Sequence, residues 1–166
     1  MFMEIEVTVE IPKGSRNKYE QNEETGKIVL DRALYGEEVF PFDYGFIPGT
    51  KGEDGDPLDV VLLVTNPTFP GCVVRAEIIG YLEMEDESGI DNKVIAVPAK
   101  KLDPRWAHVQ DVGDLKEEQK QEVRDFFESY KKLEPGKWVK LKEFKPKAEA
   151  EQLIQEAKAR LGKEQA

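Results

Sequence analysis

Met3, Ile5, Val7, Val9 and Ile11 alternate with Glu4, Glu6, Thr8 and Glu10, the period-two pattern of a strand with one face in a core. The alternation predicts that Glu10 points away from Val9 and Ile11. Pro12, Lys13 and Gly14 close this strand, and Lys18, Tyr19 and Glu20 open a second extended piece. A turn at Glu24, Thr25 and Gly26 leads into a short strand, Lys27 to Leu30, that ends in Asp31 and Arg32. From Val39 to Gly49 the composition shifts to Phe, Tyr, Pro and Gly, which predicts an irregular but packed segment whose rings join the core. Tyr44 differs from the Phe residues, because its hydroxyl needs a partner. Val60 to Val64 reads as a buried strand, and Cys72 to Leu82 and Lys93 to Val97 complete a set of short strands between turn signals. Such spacing predicts a small barrel or sandwich.

The last third changes period. Asp114 with Glu117 resembles a capping box, and Leu115, Val123, Phe126, Phe127 and Tyr130 fall on one face of a helix, with Gly136 after its end. Trp138, Val139 and Leu141 form a brief apolar stretch. Ala150, Leu153, Ile154, Ala157 and Leu161 then make a second amphipathic helix, expected to stop at Gly162 and to fray over Lys163 to Ala166. The chain of 166 residues has no repeat or linker, and this length fits one domain with a single core.

Charge narrows the function classes. A formal net charge of -10 argues against wrapping nucleic acid, which needs a basic face to displace counterions, and against an anionic membrane surface. No apolar run approaches a membrane span. The first residues lack the basic-then-apolar order of a secretory leader. Cys72 is the single cysteine; it predicts no internal disulfide, a buried structural thiol and a cytoplasmic location.

The chemistry concentrates in Gly52-Glu53-Asp54-Gly55-Asp56-Pro57-Leu58-Asp59-Val60. Gly52, Gly55 and Pro57 favour turns over a helix, so Asp54, Asp56 and Asp59 can converge just ahead of the strand that anchors them. Clustered Asp oxygens without nearby His or Cys suit a hard cation such as magnesium, manganese or calcium rather than zinc. The loop is not an EF-hand, since Leu58, Asp59 and Thr65 stand where an oxygen ligand, Gly and Glu are required. Nor does Asp54, after Lys51, Gly52 and Glu53, have the apolar strand expected before an aspartyl-phosphate nucleophile. A second acidic turn, Glu83 to Asn92, would alone read as a solvated hairpin tip. Beside the first loop it reads as the other wall of one metal site, with Asp86 and Asp91 as ligands and Lys93 starting the next strand. His108 is the single histidine and reads as structural. Lys100-Lys101 and Lys131-Lys132 read as solvated charge, although Lys131 follows a Tyr on the inner helical face.

Carboxylates, cations and Tyr hydroxyls in short constrained segments are the parts phosphoryl transfer asks for: metal ligands, cations for phosphate oxygens, and a carboxylate to orient or deprotonate water. Asp-Gly-Asp-Pro-Leu-Asp at 54 to 59 resembles the signature of soluble (class I) inorganic pyrophosphatases of bacterial type. Glu10-Ile11-Pro12, Lys18-Tyr19-Glu20, Asp31-Arg32, Tyr44-Gly45-Phe46-Ile47, Asp86 through Lys93, and Phe126-Phe127-Glu128-Ser129-Tyr130-Lys131 resemble further family segments, in the family's order.

The resemblance implies an α+β fold with a mainly β core: a five-stranded, OB-like barrel flanked by two main helices, with the site at one end. It implies magnesium-dependent hydrolysis of pyrophosphate to two phosphates. Asp54, Asp59 and Asp91 would hold the first metal, Asp59 would bridge to a second, and Asp86 and Asp91 would serve one borne by the substrate. Glu10 and Glu20 would act largely through metal-bound waters, and Asp56 would be the base. Lys18, Arg32, Tyr44, Lys93, Tyr130 and Lys131 would grip the phosphoryl groups. A homohexamer is implied by the bacterial members. Phe40 stands where many members have Tyr and is left out of the site. The chain begins almost directly in its first strand, so assembly contacts made by the N-terminal extension of many relatives are not expected. Nucleoside triphosphate hydrolysis would use similar metals but should show a stacking pocket for the base. A barrel binding single-stranded nucleic acid would need a basic groove with exposed aromatics.

Overall fold

The architecture comes from a computed structural model that describes residues 3–165. Strand β1 (Glu4–Ile11) buries Ile5, Val7, Val9 and Ile11, as the alternation predicts. β2 (Asn17–Gln21) and β3 (Ile28–Ala33) form a separate antiparallel hairpin. Its turn is held by the Asn22 side chain, which accepts from the Glu24 and Thr25 N–H groups. β4 (Asp43–Phe46) pairs antiparallel with β1 and with β5 (Asp59–Leu62). The long β6 (Val73–Asp86) turns at Glu87 and Ser88 into the two-residue β7 (Gly89–Ile90), and β8 (Lys93–Pro98) follows. β8 runs parallel to β5 and antiparallel to β6, while β6 also pairs antiparallel with β1. The path β1-β4-β5-β8-β6 therefore returns to β1, a closed ring of hydrogen-bonded strands. Closure removes free edges from those five strands.

Both faces of the ring are apolar. Val61, Ile95 and Val97 face Phe40, Phe42 and the Phe126 and Phe127 rings of helix α1 (Glu117–Ser129). Val60, Leu62, Val94 and Ala96 face Ile5, Val7, Val9 and the Ala150, Ile154 and Ala157 side chains of helix α2 (Lys147–Gln165). Gly45 marks the tightest crossing, because a Cβ there would stand 2.0 Å from the Thr8 carbonyl oxygen.

Several local expectations are corrected. The aromatic stretch is not wholly irregular, for β4 runs through it. The acidic segment Glu83 to Asn92 is not all turn: Leu82, Met84 and Asp86 are buried, so the period of two continues beneath the charges and β6 extends to Asp86. Val139 and Leu141 belong to a full strand, β9 (Val139–Pro146), which covers β6, and Trp138 directly precedes it. The Asp114–Glu117 box does not form. Asp114 instead accepts from Gln110 and Asp111 in the short 3-10 turn Val112–Asp114, and Gln119 accepts from the Lys116 N–H at the start of α1. Leu115 is buried but precedes that helix. Gly162 lies inside α2, which continues to Gln165. Ala166, expected to fray, lies outside the described residues. Cys72 is a free thiol but only half-buried, and His108 is exposed.

Candidate active site

Parallel pairing of β5 with β8 sets Asp59 opposite Lys93 at the same end of the ring. Lys93 is only 2% exposed, and its Nζ lies 2.7 Å from Asp59 Oδ2 and 2.9 Å from Asp91 Oδ2. Burial works against the ammonium, but Asp59, Tyr44 and Asp91 outweigh it and hold the Lys93 pKa well above its usual value. The same Nζ stands 5.4 Å from the Tyr44 ring centre and 5.8 Å from that of Phe127, within reach of cation–π attraction. Burial, reinforced by Asp59, raises the Tyr44 hydroxyl well above the usual range, so it is a proton donor at neutral pH.

The acidic loop enters beside this pair. Gly55 has φ +94°, a conformation that only glycine adopts at low cost. The Gly52 N–H donates to the Asp56 carbonyl (2.7 Å), and the Asp56 N–H donates to Asp54 Oδ1 (3.0 Å). This turn leaves the Asp56 carboxylate facing solvent. Partial burial raises the Asp54 pKa against the Asp56 hydrogen bond, and Asp91, Asp56 and Asp59 raise it further. Asp54, Asp59 and Asp91 also line a cleft of ≈130 Å³, whose α2 wall includes Arg160.

Glu10 falls where the β1–β4 register slips between Val9 and Ile11, the position of a bulge that re-aims a side chain. Its Oε2 accepts from the Gln21 N–H at 2.8 Å, tying the hairpin to β1. Burial lifts its pKa from 4.5 to about 7 against that bond, and the neighbouring charges of Asp59 and Glu20 add to the rise. Lys18 and Arg32 face each other across the β2–β3 hairpin, and Asp31 reaches both.

The end of α1 closes the set. Tyr130 stacks on Phe126 with ring centres 5.1 Å apart, and burial raises its hydroxyl against the opposing fields of Lys93 and Lys131. Lys131 is not solvated: it is 6% exposed, and its Nζ lies 3.2 Å from Asp86 Oδ2 and 3.2 Å from Glu87 Oε1. Lys132, Lys100 and Lys101 are exposed as expected. Asp91 and Arg32 also act on Tyr130, so the α1 end, the hairpin and the two acidic segments share one electrostatic neighbourhood.

The structure thus brings the predicted residues from Glu10 to Lys131 together. Among the described residues, no three His, Cys, Asp or Glu side chains stand in a group that could hold a metal ion as they are placed; Asp59 and Asp91 converge instead on the Lys93 ammonium. Phe40 is buried among Phe42, Tyr44 and Phe126. Sequence reasoning missed Glu87 and Glu134. Glu87 accepts from the Trp138 N–H, a contact that depends on β9. Glu134 is buried against Arg32, and nothing in Leu133-Glu134-Pro135-Gly136 distinguishes it from an ordinary polar turn.

Residues 7–162 match the model of the family described as inorganic pyrophosphatase. The chain is 51% identical to the inorganic pyrophosphatase of Nanoarchaeum equitans over 155 residues, covering 93% of this chain and 96% of that one. It is also 51% identical to the enzyme of the same name from Leifsonia xyli, over 94% of each chain. Among solved structures, the inorganic pyrophosphatase of Helicobacter pylori superposes with a TM-score of 0.94 at 43% identity, covering 96% of this chain and 94% of that one. With this agreement of sequence and fold over nearly its whole length, the chain belongs to the inorganic pyrophosphatase family.

Proposed function

We propose that the chain hydrolyses inorganic pyrophosphate to two orthophosphates by direct attack of water, and that residues 1–166 act as one domain. The strand ring is read as an OB-like barrel that presents the site at one end. The observation that carries the proposal is the alternation of carboxylates with buried cations at one end of the ring, centred on Lys93 between Asp59 and Asp91.

The donor chemistry fits magnesium. The acidic residues offer oxygen alone, and the pKa values of Glu10 and Asp54 are raised chiefly by burial, with neighbouring carboxylates adding to the rise. Asp54, Asp59 and Asp91 would hold one ion, Asp59 would also serve a second, and Asp86 and Asp91 would serve one arriving with substrate. Glu10 and Glu20 complete the acidic surround. When bound, the ions lower the pKa of water and neutralise charge on phosphate oxygens.

The chain's own groups supply the rest. Asp56 accepts the proton of the attacking water, and the turn bonds of Asp54 and Gly52 fix its backbone for that task. The water oxygen forms a bond to one phosphorus while the bond from that phosphorus to the bridging oxygen breaks. Lys18, Arg32 and Lys93 stabilise the charge that develops on the phosphate oxygens, as do Lys131 and the protonated Tyr44 and Tyr130 hydroxyls. Lys93 and Lys131 are held at the site by carboxylates and ring faces.

The same reading carries a cytoplasmic homohexamer with no nucleic-acid or membrane partner. Among the described residues no helix is long and apolar enough to cross a membrane. Turnover of pyrophosphate and of ATP, compared with magnesium as the sole metal, tests the substrate assignment. Pyrophosphate is expected to be the strongly preferred substrate, whereas equal turnover would favour a nucleoside triphosphate hydrolase.

A further inference from the structure

Glu134 lies in the turn after α1, three residues beyond Lys131, and is 8% exposed. A carboxylate buried to that degree needs a partner to remain charged. Its partner is Arg32, across 102 positions of sequence: Arg32 Nε lies 2.9 Å from Glu134 Oε1, and Nη2 donates to Oε2 at 3.0 Å. The Nη2 hydrogen bond and the ion pair at Nε together tie the guanidinium to the turn after α1. Asp31 holds Nη1 from the other side. Glu134 thus takes one N–H of Nη2 and Asp31 one of Nη1, which leaves a further N–H on each of these nitrogens.

The location gives this pair a purpose. Arg32 belongs to the β2–β3 hairpin, a sheet separate from the strand ring. Ring geometry alone therefore does not orient its long side chain. The turn that carries Glu134 also follows Tyr130 and Lys131 directly, so a bond from Glu134 references Arg32 to the two other phosphate-binding groups of that end.

We propose that Glu134 is a positioning residue for the reaction: it holds the Arg32 guanidinium so that its remaining N–H groups meet a phosphoryl group in register with Tyr130 and Lys131. The inference rests on the pyrophosphatase reading. It also explains why a carboxylate is kept beside an anion-binding arginine, where its charge opposes the anion. A guanidinium already held in place loses less entropy when it binds phosphate oxygens than a free one does.

Wild-type hydrolysis of pyrophosphate is measured first; its absence would remove the functional reading itself. Inorganic phosphate binding by calorimetry in the presence of magnesium, together with KM and kcat, is then compared for wild type, Glu134→Ala, Glu134→Gln, Arg32→Ala and the Arg32→Ala, Glu134→Ala double variant. Glu134→Ala is expected to weaken phosphate binding and raise KM about tenfold, equivalent to ~1.4 kcal/mol, with a smaller change in kcat. Glu134→Gln, which keeps an acceptor and the shape, should recover part of the loss. In the Arg32→Ala background, Glu134→Ala should change neither quantity. Phosphate bound as tightly or more tightly by Glu134→Ala, or an equal loss with and without Arg32, would overturn the proposal while leaving the pyrophosphatase reading intact.

Discussion

Lys93 shows how a single residue can organise a site. Its ammonium is buried, yet Asp59, Asp91 and two ring faces keep it charged, so a phosphate oxygen approaching it meets a cation whose desolvation has already been offset by folding. Asp56 has the opposite character: it is exposed, and only its loop fixes it. Asp56→Asn keeps the shape of the loop and removes the base, and kcat is expected to fall by about a thousandfold, or ~4 kcal/mol of barrier, with an unchanged circular dichroism spectrum. Undiminished turnover would remove Asp56 from the assigned role. Glu10 supplies a pH signature in the metal-free protein. Its folded pKa is raised from 4.5 to about 7, so the folded state binds the proton more tightly than the unfolded chain. The resulting stability is fully present below pH 4.5 and is lost as pH rises through about 7. Urea unfolding in chelator should show that decline for wild type and a flatter profile for Glu10→Gln, and parallel profiles would contradict it.

At the level of elements, what was legible in the sequence depended on whether charge followed or obscured the apolar period. β1 was readable because Glu and Thr occupy its wet positions and Ile and Val its dry ones. The end of β6 was not, because Glu83, Glu85 and Asp86 made a strand look like a solvated tip, although Leu82 and Met84 keep the alternation. β9 was hidden for the same reason, by Lys140, Lys142 and Lys145 around its partly buried Leu141 and Phe144. The acidic loop was visible from local spacing, whereas Glu134 was not, because its meaning lies in a partner on a distant hairpin. Parallel pairing of β5 with β8, which makes Asp59 and Lys93 neighbours, has no local signal either. Helix α1 links packing to the site, since Phe127 is 1% exposed and its ring lies beneath Lys93. Phe127→Ala should cost about 3–5 kcal/mol of stability, read by urea unfolding. It should also lower turnover in samples that remain folded. A change below 1 kcal/mol, as for an ordinary surface substitution, would show that α1 packs more loosely than described.

For the whole molecule, a net charge of -10 combined with buried lysines at one end of the strand ring describes a surface that repels polyanions and a site that accepts one small anion together with metal. Clustered carboxylates must be ionised to bind cations. At limiting magnesium, therefore, activity is expected to fall as pH drops below neutrality and to recover in part when magnesium is raised. Activity that stays flat from acidic to alkaline pH would contradict a carboxylate metal site. The most direct test of the central claim is release of orthophosphate from pyrophosphate by the purified, folded chain, with magnesium present and again after chelation. Rapid release that stops on chelation and returns when magnesium is restored is the predicted result. No release with magnesium present, or release that chelation leaves unchanged, would contradict the account.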